Sequence, residues 1–220
     1  MNDKEVNYEI KMMKRKDVIL KVNAYKLFVI VPKTKTIDMH AYLMKHKKWI
    51  LNRINQKGTF ILGGYILYLG LKVPLEVVIV SERKNAKLQL VNEKFVLYSH
   101  SESDYTLKKI IDEWFKEETY HLIIERIQQF KEKISVDPQN IVIESLFYRW
   151  ASCSNLGNMK FHPKCAMLPP HIIDYVVVHE LCHLLYFDHS GNYWLQVEKI
   201  MPDYREKKTW LDEHGMRIIR

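Results

Sequence analysis

The stretch His179-Glu180-Leu181-Cys182-His183 sets two imidazoles four residues apart around a carboxylate. On an α-helix, residues four apart lie on one face. Both rings can then meet one tetrahedral metal ion, and Glu180 beside them can act on a water there as general base. Zinc is the metal such donors predict, one per chain, although the same ligands hold other divalent ions. A catalytic zinc takes three protein ligands and keeps a position open. His189, ten residues after His179, is the first candidate for the third. A continuous helix would aim it away from His183, so the helix is expected to end near Tyr186–Asp188 and let His189 fold back. Glu198 is the rival. It lies on the inward stripe Trp194, Val197, Met201 of the next helix. Asp188, Glu198 and Asp203 are candidates for orienting the imidazoles through their second ring nitrogens.

Other residues carry weaker signals. Cys182 points elsewhere on the helix and reads as core. Cys153 and Cys165 have no metal-ligand spacing. His162 and His171 read as surface or capping residues. Arg149 is a candidate contact for an anionic substrate group. Tyr204, with Arg205, is a candidate for stabilising charge in a transition state.

The metal-binding helix needs a scaffold, and the pattern of apolar residues supplies one. Pro169 and Pro170 open a helix that runs through IIDYVVVHELCHLLY. Ser190 can cap the next helix, and another follows Pro202. Upstream, Leu107, Ile111, Phe115, Leu122, Ile123, Ile127, Phe130 and Ile134 recur every three or four residues, which predicts one long amphipathic helix ended before Pro138. Ile141–Glu144 and Met159–His162 read as strands around a polar turn at Ser152-Cys153-Ser154-Asn155. The first hundred residues read as short strands, YEIKMM, DVILKVNA and KLFVIVP, then Tyr65–Leu69 and Leu75–Val80. Leu88–Val91 and Phe95–Tyr98 form a hairpin around Asn92-Glu93. Among these strands lies one helix, capped by Thr36, with Met39, Tyr42, Leu43, Trp49, Ile50 and Ile54 on its apolar side and Gly58 at its end. The two regions are thus residues 1–103, basic and strand-rich, and residues 104–220, helical and metal-binding, in an α+β class; they can pack as one unit.

Charge separates these regions. Residues 1–100 hold 19 Lys/Arg and 8 Asp/Glu, a balance of +11, whereas residues 101–220 hold 15 and 18, a balance of −3. A basic first half suits an anionic partner: a nucleotide, a nucleic acid or an acidic surface. Lys45, Lys47 and Lys48 are its densest run. No membrane span is visible, since Phe60–Leu71 is too short and holds Gly and Tyr. Three cysteines without a CxxC argue against a disulfide framework. The N-terminus shows no apolar leader segment, so a cytoplasmic location is expected. No GxxxxGK[ST] loop is present, which excludes a P-loop ATPase.

Several segments together resemble the YgjP-like family of metal-dependent hydrolases, of the zincin group. They are Arg149-Trp150-Ala151-Ser152-Cys153-Ser154, Asp174–His183, His189, Tyr193-Trp194 and Met201-Pro202-Asp203-Tyr204. Ala151 stands where the family usually has Gly, and Tyr193 where it usually has Phe. The resemblance implies a zincin-like metallopeptidase fold with His179, His183 and His189 on zinc and Glu180 as base. The HExxHxxxxxH spacing is also similar to that of SprT-type proteases, which act on DNA-bound proteins. In the metzincin pattern a Gly makes the turn after the second His; Tyr186 holds that place here. The family implies two activities, peptide hydrolysis and nucleoside triphosphate pyrophosphate hydrolysis. A third reading is a degenerate zincin that binds nucleic acid.

Overall fold

A computed structural model describes residues 8–14, 17–23, 26–34, 36–48, 50, 64–80, 86–101 and 103–219. The chain forms two compact units. The first is Met1–Ile66 with Lys72–Ile111, and the second is Leu67–Leu71 with Asp112–Arg220. Helices and strands are mixed, and no helix among the described residues is long and apolar enough to cross a membrane.

The first unit is built on two small sheets. β1 (Tyr8–Met13) runs parallel to β3 (Lys26–Pro32), and β2 (Ile19–Asn23) runs antiparallel to β3 on its other side. Alternation decides the inner face of β3, where Leu27, Val29 and Val31 are buried. The second sheet has the order β4-β5-β7-β6. It comprises β4 (Tyr65–Tyr68), β5 (Leu71–Ile79), β6 (Lys87–Val91) and β7 (Lys94–Ser99). Ile19 of one sheet packs with Val78 and Val96 of the other. The β6–β7 hairpin turns on Asn92 and Glu93, both at positive φ, as a two-residue turn matched to strand twist requires. Helix α1 (Met39–Lys45) is capped by Asp38, whose carboxylate accepts from the Ala41 amide, rather than by the expected Thr36. Of the apolar residues expected on this helix, Trp49 and Ile54 lie outside the described residues, as does Gly58.

The second unit holds the candidate site residues and, from Asp112 on, most of the long helix. The expected long helix is α2 (Asp104–Ile134). It stops in a Schellman arrangement: Ser135 is at φ 61°, its amide donates to Glu132, and the Val136 amide donates to Lys131. β8 (Asn140–Ile143), β9 (Ala151–Cys153) and β10 (Asn158–Phe161) form a sheet of order β8-β10-β9. β8 is parallel to β10 and β9 is antiparallel to it. The turn expected at Ser152–Asn155 is therefore displaced: Ser152 and Cys153 pair with Lys160 and Met159 inside the sheet, and Ser154–Gly157 make the turn. His162, one of the expected capping residues, caps a 3-10 turn at Pro163–Met167; its Nδ1 accepts from the Lys164 amide. Helix α3 (Pro170–Cys182) follows directly.

α3 is apolar on nearly every side, which its sequence pattern demands. Ile172, Ile173, Val177, Val178 and Leu181 are all fully buried, against α2 residues such as Ile123 and Ile127 and sheet residues such as Met159 and Phe161. Three consecutive valines are poor helix formers, so burial rather than propensity holds this segment helical. Arg126 of α2, itself largely buried, anchors α3 through Asp174 at 2.9 Å. The β4–β5 turn braces the approach to α3. The Leu69 and Gly70 amides donate to the carbonyls of Ala166 and Met167, and Gly70, at φ 81°, leaves no room for a Cβ beside Pro169. Helices α4 (Gly191–Ile200) and α5 (Tyr204–Ile219) complete the unit. Ser190 holds the N-cap position of α4 as expected, but its side chain makes no capping bond.

Candidate metal centre

His179 lies in the last turn of α3 and His183 is its C-cap. The helix ends at Cys182, four to six residues sooner than the sequence suggested. Over His183–Leu185 the chain tightens into i→i−3 bonds, His183 to Glu180, Leu184 to Leu181 and Leu185 to Cys182, before the Tyr186 amide also returns to Cys182. This early stop brings the chain round within six residues and returns His189 to the end of the helix. One nitrogen from each of His179, His183 and His189 lies within 4.8 Å of the others.

The donor geometry suits a metal ion. His183 Nδ1 lies 3.0 Å from the Tyr186 carbonyl. A carbonyl only accepts, so the proton sits on Nδ1 and Nε2 is left as a free lone pair. His179 Nε2 and His189 Nε2 are 3.3 Å apart. Two donors at zinc–nitrogen distance on a tetrahedral centre stand about 3.3 Å apart as well. Burial holds His179 down at about 3, with the neighbouring His183 and His189 adding to the effect, and it lowers His183 too. Both rings are therefore neutral at ordinary pH, the form that ligates.

Glu180 is 5% exposed, and its Oε2 is buried without a hydrogen-bond partner among the described residues. Burial pushes its carboxyl up to about 8. An unpaired buried carboxyl is costly, and a cation beside it removes that cost. Its charge also reaches Cys153 on β9, whose thiol burial pushes up to about 11. Cys182, by contrast, is wholly buried in the core, as its place on the helix suggested.

Aromatic rings wall the three imidazoles. Tyr193 is fully buried, stacks on His183 at 4.6 Å and meets His189 and His179 edge-on at 4.8 and 5.5 Å. Its hydroxyl donates to the His179 carbonyl at 3.1 Å. That carbonyl needs a new donor because the His183 amide has turned to Glu180. Trp194 stacks on His189 at 5.5 Å. The sequence offered a signal for this wall, two aromatics four and five residues beyond His189, but not its target.

The remaining candidates fall as follows. Glu198, the rival ligand, pairs with Arg205 at 2.5 Å. Among the described residues, the three histidines are the group placed to share an ion. Tyr204 is buried, with its ring stacked on Trp194 at 5.2 Å and 14°. Arg149 is exposed in the β8–β9 connection, one residue after Tyr148 at φ 55°. Asp188 accepts from the Ser190 amide, and Asp203 pairs with Lys207. Neither is seen to orient an imidazole; the Tyr186 carbonyl does that for His183. His171 is exposed at the start of α3.

No curated protein matches this chain. Among solved structures, one similar chain is the metallopeptidase zymogen abylysin of Pyrococcus abyssi, at 24% identity and a TM-score of 0.40, covering 44% of this chain and 96% of that one. The YgjP-like metallopeptidase domain matches residues 16–214. With nearly its whole length matched, the chain belongs to the YgjP-like metallopeptidase family.

Proposed function

We propose that this chain is a zinc-dependent hydrolase that cleaves peptide bonds, with Glu180 as its general base. The observation that carries the reading is the convergence of three imidazoles within 4.8 Å, with Glu180 adjacent to His179 in the chain and its buried Oε2 without a hydrogen-bond partner among the described residues. His179, His183 and His189 would hold the ion. Zinc, when bound, supplies Lewis acidity: it polarises a carbonyl and lowers the pKa of water to about 7.

The chain's own residues do the rest. Glu180 takes the proton from the attacking water and returns it to the leaving amine. The apolar surroundings of α3 keep that carboxyl away from competing partners, and a cation held by the three histidines would favour its ionised, proton-accepting form over the neutral form that burial favours. The Tyr186 carbonyl holds His183 in one tautomer with Nε2 forward. Arg149, exposed and ahead of β9, would be the contact for an anionic substrate group.

Metal content per chain, on protein made without a histidine tag, tests the site, and Glu180→Gln tests the mechanism. About one zinc is expected in both the wild type and Glu180→Gln, and none in His183→Ala. Turnover of a peptide library should fall at least about 100-fold in Glu180→Gln. Retained turnover would remove Glu180 as base.

The charge balance of +11 over residues 1–100 supports a second reading, hydrolysis of a nucleoside triphosphate at the same metal. Phosphate or pyrophosphate release from UTP or ATP, lost in His183→Ala, with no peptide cleaved, would establish it.

A further inference from the structure

His183 is fixed by a hydrogen bond to the Tyr186 carbonyl, whereas the hydrogen-bond contact of the His189 ring is with His179. His189 sits on an exposed segment between two helices. Its flat face meets Trp194, with ring centroids 5.5 Å apart and planes 29° from parallel. Trp194 lies in turn against Tyr204, at 5.2 Å and 14°. The Arg205 guanidinium covers Tyr204, 4.8 Å from the ring centroid. The layers come from two helices, Trp194 from the first turn of α4 and Tyr204 from the first turn of α5. The Glu198–Arg205 ion pair spans the same two helices.

We propose that Trp194 is a positioning residue for His189 as a metal ligand, and that Tyr204 acts on the metal through Trp194. The inference rests on the three-histidine reading given above and deepens it. An imidazole donates to a metal in the plane of its ring, so a surface that fixes the plane also fixes the direction of the lone pair. A histidine free to rotate on an exposed segment loses that freedom when it binds, and the loss subtracts from affinity. Trp194 removes the freedom in advance. Tyr204 and Arg205 keep the indole from tilting, with the cation on the face of the outermost ring. In this arrangement Glu198 serves the metal at a distance, by holding Arg205 over the stack.

The test is zinc affinity of the full chain, by competition with a chromophoric chelator, together with the visible absorption of the cobalt-loaded protein and circular dichroism for the fold. Trp194→Leu should bind zinc about 10–100-fold more weakly, the range seen when a ligand's supporting group is lost, with an altered cobalt band. Trp194→Phe, which keeps a flat face, should recover most of the affinity. Tyr204→Leu should weaken binding in the wild type but add little to Trp194→Leu, since both act on one path. Wild-type affinity with an unchanged cobalt band in a folded Trp194→Leu overturns the proposal, as does Trp194→Phe binding no better than Trp194→Leu. Should Trp194→Leu not fold, Arg205→Ala decides. That change is exposed and is expected to weaken zinc about threefold, so unchanged affinity overturns the proposal. A wild type that binds no zinc overturns both this inference and the reading beneath it.

Discussion

Lowering the pH should destabilise this protein through His162, a buried histidine outside the candidate metal centre. The ring is 8% exposed, lies against Trp150 at 6.2 Å, and accepts the Lys164 amide at Nδ1. Burial, with the Lys164 charge behind it, holds the imidazole down to about 4 from an ordinary 6.5. The unfolded chain therefore takes up a proton here near pH 6.5 and the folded chain only near pH 4. The stabilisation is complete above 6.5 and is lost as pH falls toward 4. At 1.36 kcal/mol per unit the whole effect is about 3 kcal/mol, of which about 2 kcal/mol goes between pH 7 and pH 5. His162→Asn places a carbonyl oxygen where Nδ1 sits, and Asn is a good N-cap that does not titrate. Urea unfolding of wild type and variant at pH 7 and pH 5 checks this, because every other titrating group is common to both. The wild type should lose about 2 kcal/mol more than the variant over that range. Equal losses, within about 0.5 kcal/mol, would refute the assignment of a neutral buried imidazole.

Three further outcomes follow from the fold. Gly70→Ala forces a Cβ to within 2.9 Å of the Pro169 ring and 3.2 Å of its backbone at a left-handed φ, and should cost about 2–4 kcal/mol by thermal or urea unfolding. Arg126→Ala leaves Asp174, which is partly exposed, without its ion pair. It should cost about 1–3 kcal/mol, whereas Lys160→Ala, at an exposed pair with Glu144, should cost less than about 1 kcal/mol. If the basic first half binds nucleic acid through Lys45, Lys47 and Lys48, affinity for a DNA duplex should fall linearly on a log–log plot against salt, and the triple alanine variant should flatten that slope by about three. A salt-insensitive affinity would exclude phosphate contacts as its source.

The parts of this molecule that could be read in advance are those governed by short-range spacing. The i, i+4 pair His179 and His183, the buried Glu180 between them, and the 3.6-residue period of α2 need no knowledge of the rest of the chain. His189 was legible for a related reason. Its distance in sequence demanded a helix end, although the end comes at Cys182 because i→i−3 bonding takes over there. What escaped was set by partners remote in sequence. Ser152 and Cys153 look like turn residues, yet β10 recruits them as a strand. Glu198 looks like a third ligand on an inward stripe, yet Arg205 of the next helix claims it. The wall of Tyr193 and Trp194 was visible as two adjacent aromatics, but which rings they face depends on how α4 folds back on α3. The cap of α1 is a local exception: Thr36 and Asp38 are both good capping residues, and it is the Asp38 carboxylate that reaches the Ala41 amide three residues on.

The three imidazoles all come from one stretch of eleven residues, 179–189, and this locality has a consequence for the denatured chain. Bringing the ends of so short a segment together costs little loop entropy. An unfolded chain can therefore gather the same three rings around zinc, whereas a site assembled from distant strands disappears on unfolding. Stabilisation by a ligand is reduced by whatever affinity the unfolded state retains. With zinc in the site, the rise in melting temperature should then fall short of the value computed from the native dissociation constant. The same property would let a nascent chain acquire its metal before α4 and α5 have been synthesised, with the ion already in place when Tyr193 and Trp194 close over it.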